Sequence, residues 1–209
     1  MDRFQTILFV LLVLYTVGII GIGTNIWPPF ILLTPINLLA SLGLVLWNHS
    51  SKNAQLILFV CLVFIIGWTA EWFGVRTGLL FGQYAYGKSL GPKVAETPLM
   101  IGINWVMITY AAGMVTNQWA SQQKTWIKII LAAVLMVGID FFIEPVAPLL
   151  DFWRWEHNEV PIQNYWGWLW IALLVQFIFF KLFGKEQNKA GSALFFIQLG
   201  FFVILNIIL

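Results

Sequence analysis

Seven long apolar runs limit what this chain can fold into. They are Phe4–Gly23, Pro29–Trp47, Ala54–Gly74, Pro98–Asn117, Trp126–Glu144, Tyr165–Phe183 and Ser192–Leu209. A helix rises about 1.5 Å per residue, so roughly 17 to 25 apolar residues cross the hydrocarbon core of a bilayer. Composition agrees. The chain is 60% hydrophobic and only 10% charged, with a mean hydropathy of +0.86, whereas soluble domains are about half apolar and a quarter charged. The sequence therefore predicts an all-α polytopic membrane bundle of about seven transmembrane helices, organised as one integral membrane domain over residues 1–209. The first run has no clear small-x-small cleavage site and is long for a signal peptide, so it reads as a helix. A net charge of +2 does not point to nucleic acid. Cys61 has no second cysteine to pair with and reads as a small core hydrophobe. Gly18, Gly21 and Gly23 do not match a dinucleotide fingerprint and read as sites of close helix packing.

Seven spans divide the charges between two faces. One face receives Arg3, Lys52, Lys124, Lys128, Lys181, Lys185 and Lys189; the other receives Arg76, Lys88, Lys93 and Arg154. The excess of cations predicts a cytoplasmic N-terminus in a multi-pass protein of the cell membrane. The face poorer in cations carries seven acids, Glu71, Glu96, Asp140, Glu144, Asp151, Glu156 and Glu159, and both long loops, Val75–Thr97 and Val146–Asn164. Any chemistry is expected there.

Asp140 and Glu144 are four residues apart, which puts them on one helix face, one turn apart. Pro145 and Pro148 end or kink that helix. Ionisable residues inside a membrane are costly and usually face a bundle interior or a wet cavity. Two close carboxyls in low dielectric tend to share one proton, so one can serve as an acid while the other stays ionised. An interfacial structural pair is the plainer reading. Glu71 and Arg76 form a second candidate, either pairing with each other or bridging to the first. Asn104 and Trp105 sit one turn into the fourth run, where the asparagine holds a water or ties two helices together. In the loop after Arg76, Gly78, Gly82, Gly87 and Gly91 alternate with Phe81, Tyr84 and Tyr86, without the ending of a phosphate loop. Trp153, Trp155, Trp166, Trp168 and Trp170 fit an interfacial belt. They equally fit a ring-lined pocket for a cation. His157, between Glu156 and Asn158, reads as solvated. Neither histidine has partners at metal-ligand spacing, and no metal site is expected.

These residues, from about Glu71 to Trp168, resemble the membrane carotenoid hydratase family, which includes bacterial γ-carotene 1′-hydroxylases and haloarchaeal bisanhydrobacterioruberin hydratases. The matching pieces are Glu71-x-x-Gly74-x-x-Thr77-Gly78-x-x-Phe81-Gly82-x-Tyr84-x-Tyr86, Leu90-Gly91, Asp140-x-x-x-Glu144-Pro145, Trp153-x-Trp155 and Pro161-x-x-Asn164-x-x-Gly167-Trp168. Glu144 departs from the aspartate frequent in the family at that position. The first two runs and the last add nothing to the match. The resemblance implies addition of water across the terminal double bond of an acyclic carotenoid end group, giving a tertiary alcohol without a redox cofactor. It implies a carotenoid substrate drawn from the bilayer and its lipids. It casts Asp140, Glu144 and Glu71 as catalytic. Tyr84, Tyr86, Trp153, Trp155, Asn164 and Trp168, which lie in the matching pieces, become its substrate-binding residues, and Arg76, Asn104 and Trp105, outside those pieces, join that set from their own positions described above.

Three alternatives stand beside it. A small membrane-type lycopene cyclase also protonates a carotenoid end but closes a ring. A transporter uses membrane acids as a proton relay, yet here the acids cluster on one face and no repeat is visible. A retinal-binding receptor needs a lysine, and Ser192–Leu209 contains none.

Overall fold

The computed structural model describes residues 2–25, 27–50 and 53–209; Lys52, counted above among the cations, lies outside them. Seven helices among the described residues are long and apolar enough to cross a membrane, and the protein is a multi-pass all-α bundle. They are α1 (Arg3–Thr24), the span Pro28–Trp47 made of a 3₁₀ segment at Pro28–Leu33 running into α2 (Thr34–Trp47), α3 (Ala54–Thr77), α4 (Leu99–Trp119), α5 (Thr125–Ile143), α6 (Ile162–Phe183) and α7 (Lys189–Ile208).

The helix ends differ from the apolar runs because capping is polar and hydropathy does not register it. α3 runs on to Thr77 and stops where Gly78 takes φ +65°, its N–H donating to the Gly74 carbonyl. That left-handed terminus favours glycine. α7 begins three residues before Ser192, where the Asn188 side chain accepts from the backbone N–H groups of Ala190 and Gly191 and satisfies donors a helix start leaves free.

α4 is the central helix, with every residue from Trp105 to Asn117 buried. By contrast α1 buries Ile7, Leu11, Tyr15 and Gly18, a single stripe at three- and four-residue spacing, and gives its other faces to lipid. The early glycines do allow close contact. An added Cβ at Gly18 would lie 3.1 Å from the Phe201 ring, and one at Gly23 would lie 2.7 Å from Ile208. Cys61 corrects its expectation: it is exposed on the lipid-facing side of α3 rather than packed in the core. A helix with apolar residues all round does not reveal from sequence which side faces in.

Two short antiparallel ribbons stand at one end of the bundle. In one, β1 (Tyr84–Tyr86) pairs with β4 (Trp153–Trp155) in the register Tyr84 with Trp155, Ala85 with Arg154 and Tyr86 with Trp153. In the other, β2 (Lys93–Val94) pairs with β3 (Thr97–Pro98). The first ribbon joins the α3–α4 loop to the α5–α6 loop, so the two long loops share one end of the bundle. Side chains alternate across a strand. All four aromatic residues are therefore buried, while Ala85 and Arg154 face out.

Candidate active site

Three carboxylates gather beneath the β1–β4 ribbon, from different helices. Glu71 comes from α3, Asp140 from the last turn of α5, and Glu144 from the residue that caps α5. All three are buried. The Pro145 break ends α5 at the point where Glu144 still lies one turn above Asp140, its N–H donating to the Asp140 carbonyl at 3.0 Å.

Each carboxylate is held by neutral donors. Glu71 Oε2 accepts from the hydroxyls of Tyr84 and Tyr86, both at 2.6 Å, and its Oε1 accepts from Trp105 Nε1 at 2.9 Å. Glu144 Oε2 accepts from Trp155 Nε1 at 2.7 Å and Trp153 Nε1 at 3.1 Å. One amide joins the other two acids: Asn164 Nδ2 donates to Asp140 Oδ2 and Glu144 Oε1, both at 2.9 Å. Asp140 Oδ1 is buried with no partner among the described residues. Among the described residues no cationic side chain bonds any of the three acids. Three buried negative charges without a counter-charge are prohibitively costly. The cluster is therefore built to hold protons or to face a cation.

Burial, with the Glu71 carboxylate nearby, lifts Glu144 from its ordinary value near 4.5 to about 7, against the opposing pull of the Trp155, Trp153 and Asn164 donors. Its carboxyl is thus poised to give and take a proton at neutral pH. Burial and the adjacent Glu71 push the Tyr84 and Tyr86 hydroxyls well above their usual range, so both remain donors.

A free space of about 10 Å³ lies among these groups, roughly what a single water needs. Glu71, Glu144 and Asn164 supply its polar walls. Rings of Phe81, Tyr84, Tyr86, Trp153, Trp155 and Trp168 supply most of the rest, with Ile101 the one aliphatic wall. Asp140 does not touch this space and reaches it only through Asn164. Trp105 stacks on Trp168, with centroids 4.2 Å apart, and reaches Glu71 from behind. Small residues make room for the rings: a Cβ at Gly74 would lie 2.6 Å from Phe81 and 3.1 Å from the Tyr84 hydroxyl.

The structure thus brings together ten of the twelve residues singled out in the sequence: Glu71, Tyr84, Tyr86, Trp105, Asp140, Glu144, Trp153, Trp155, Asn164 and Trp168. Arg76 does not join them. It is exposed, with its guanidinium 5.4 Å over the Trp72 ring, and it pairs with neither Glu71 nor the Asp140–Glu144 pair. It follows Glu71 by five residues, and one turn and a half of helix carries it round to another side. Asn104 lines a separate, larger cavity. His157 is exposed, and Trp166 and Trp170 face outward. Sequence reasoning missed Ile101, an aliphatic residue in an apolar helix with nothing to mark it. Phe81 was visible only as part of the glycine–aromatic loop.

Fold and site together define a membrane-embedded protein with an acid pocket walled by aromatic rings at one end of a seven-helix bundle. The chain belongs to the carotenoid biosynthesis protein family, whose sequence model matches residues 30–209. It is similar to the bisanhydrobacterioruberin hydratase of Haloarcula japonica, with 30% identity over 108 residues. That match covers 47% of this chain and 36% of the relative, so the chain spans well under two thirds of the relative's length. No solved structure matches it.

Proposed function

We propose that this protein is a carotenoid 1,2-hydratase, adding water to the terminal double bond of an acyclic carotenoid end group, of the γ-carotene or lycopene type, to give a tertiary alcohol. The observation that carries the reading is the cluster of buried carboxylates with no cationic partner among the described residues, set among aromatic rings around a space fit for one water. The family and the name of the Haloarcula relative support it.

The chemistry follows from the groups present. Asp140 and Glu144, joined through Asn164, share a proton, and Glu144 is the member that meets the free space. Its carboxyl gives that proton to the less substituted alkene carbon. The π bond breaks, a C–H bond forms, and a tertiary cation remains on the neighbouring carbon. Glu144 becomes an anion already surrounded by three N–H donors. Donors placed in advance for the charge that develops cost no reorganisation during reaction. Glu71, fixed by Tyr84, Tyr86 and Trp105, faces the cation as a further negative charge beside the now fully ionised pair, and the ring walls add cation–π attraction. Water attacks the cation, and the proton it loses returns to the Asp140–Glu144 pair, leaving the enzyme as it began. The lysine and arginine distribution supports an N-terminus in the cytoplasm, with the pocket toward the opposite face of the cell membrane. With Cys61 replaced, cysteines at the Lys88 and Glu159 positions should then be labelled only from outside; labelling of both only from the cytoplasm would invert this orientation, and labelling from opposite sides would break it.

Expression in hosts that make lycopene or γ-carotene, followed by mass analysis of the pigments, tests the reaction. The expected products have gained one water per reacted end. A cyclised isomer of unchanged mass would make the protein a cyclase instead.

A further inference from the structure

A second and much larger cavity, of about 240 Å³, lies between α1, the Pro28–Leu33 turn, α2, α4 and α7. Its walls are predominantly apolar, with Leu14, Phe30, Leu38, Phe152 and Phe201 among them. Two features give it direction. First, Ile101 and Trp153 line both this cavity and the space beside the carboxylates, so the two are separated only by side chains. Second, three of its lining residues are also outwardly exposed: Val17 at 49%, Leu33 at 39% and Ile36 at 65%. The cavity therefore opens between α1 and α2, on the flank of the bundle that meets lipid. It also runs deep. Tyr15 lines it from the middle of α1, nine residues or about 14 Å of helix below the Thr24 end.

We infer that this cavity is the channel that binds the polyene chain of the substrate, entered sideways from the bilayer between α1 and α2, and that Ile101 is the side chain that admits the end group to the acids. The inference rests on the carotenoid reading above. A rigid, methyl-branched apolar chain suits a ring-walled apolar channel, with one end inside and the remainder in lipid. A phospholipid suits it less, because its phosphate would lie at the same end of the bundle as three carboxylates. The space at the acids holds a water but not a branched alkene end, so one of the two shared side chains must move. Moving Trp153 breaks its 3.1 Å bond to Glu144. Ile101 is buried and apolar and breaks no hydrogen bond when it rotates, which makes it the cheaper gate.

The test fills the channel without touching the acids. Leu14→Trp and Asn37→Trp load opposite walls, so failure of one variant to fold leaves the other informative. Each is compared with wild type in membranes containing lycopene, by the pigment that co-purifies and by its conversion. Each is also given a short acyclic terpene with the same dimethyl alkene end, which reaches the acids past Ile101 without filling the length of the channel. Overpacking should lower bound and converted lycopene at least about tenfold, while turnover of the short terpene persists. Variants that hold and convert lycopene as wild type does, or wild type that yields only phospholipid from this site, would overturn the channel and leave the hydration reading standing. Pigment that binds to wild type and is lost from both variants, with no hydrated product from any of them, would uphold the channel and overturn hydration.

Discussion

Both ends of this bundle bury polar side chains, and they use them differently. At the end away from the acids, Asn117 Nδ2 donates to the carbonyls of Phe183 and Glu186, at 2.7 and 2.9 Å. Lys128 reaches Asn117 Oδ1 and the Gly184 carbonyl, at 3.4 and 3.5 Å. Asn188 Nδ2 donates to the Val45 carbonyl and the Tyr110 hydroxyl, both at 2.9 Å, while its Oδ1 receives Asn48 Nδ2 and the first N–H groups of α7. Most of these bonds answer main-chain groups that helix ends leave unpaired, and the rest, among Asn48, Tyr110, Asn117, Lys128 and Asn188, link the side chains that do so. At the acid end the bonds run from side chain to side chain, converge on carboxylates and surround free space. The first pattern ties helices together. The second gathers donors around buried carboxylates beside a free space, the arrangement that the proposed hydration would use.

The largest expected effect separates the two ends by activity. Asp140→Asn and Glu144→Gln should each lower turnover at least ~100-fold, the low end for losing general acid–base catalysis, with the folded fraction in membranes unchanged. Arg76→Ala, at the same end but outside the pocket, serves as the control. If both acid variants turn over normally, the acid pair has no catalytic part and the contrast collapses.

The opposite end should fail in the opposite way. Asn117→Ala leaves the carbonyls of Phe183 and Glu186 and the Lys128 ammonium with one partner fewer. It should cost about 1–3 kcal/mol of stability, the usual price of unpaired buried polar groups, with normal turnover per folded molecule. Thermal unfolding in detergent measures the first, and pigment conversion the second. A loss of turnover without loss of stability would mean that this end also serves the reaction.

A smaller effect sharpens the assignment within the acid end. Glu144 is about 7 because burial outweighs its three donors, so its acid form is filled below that pH and empties above it. Turnover should fall as pH rises through about 7. Trp155→Phe keeps a ring but removes an N–H donor that stabilises the anion. It should move that descending limb to higher pH with a modest loss of rate. Turnover that instead rises through neutral pH would make Glu144 the base that takes the proton from water.

Much of this arrangement is legible in the chain. The seven spans follow from the apolar runs because hydropathy and length decide a membrane helix almost alone. Asp140, Glu144 and Asn164 stand out because polar residues near the ends of apolar runs are rare and costly. The β1–β4 ribbon is less legible: Tyr84-Ala85-Tyr86 and Trp153-Arg154-Trp155 alternate as strands do, but three residues are too few to establish a period of two. Direction is the harder loss. Arg76 pointing outward, Cys61 facing lipid and Asn104 belonging to the larger cavity all depend on how a helix is rotated, and helices apolar on every side carry no stripe to fix that rotation. Ile101 and the channel it closes arise from packing between segments far apart in sequence.

The origin of the new oxygen tests the central claim most directly. Hydration through a carboxylic acid takes its oxygen from water and its new carbon-bound hydrogen from an exchangeable acid. An oxidative route to the same alcohol takes oxygen from O₂ and consumes electrons. Run without air or reductant, in water labelled with heavy oxygen and deuterium, the reaction should proceed. It should place the oxygen label in the hydroxyl and one deuterium on the carbon beside the alcohol carbon. Oxygen label arriving from O₂, or a strict need for a reductant, would contradict the acid mechanism whatever the variants do.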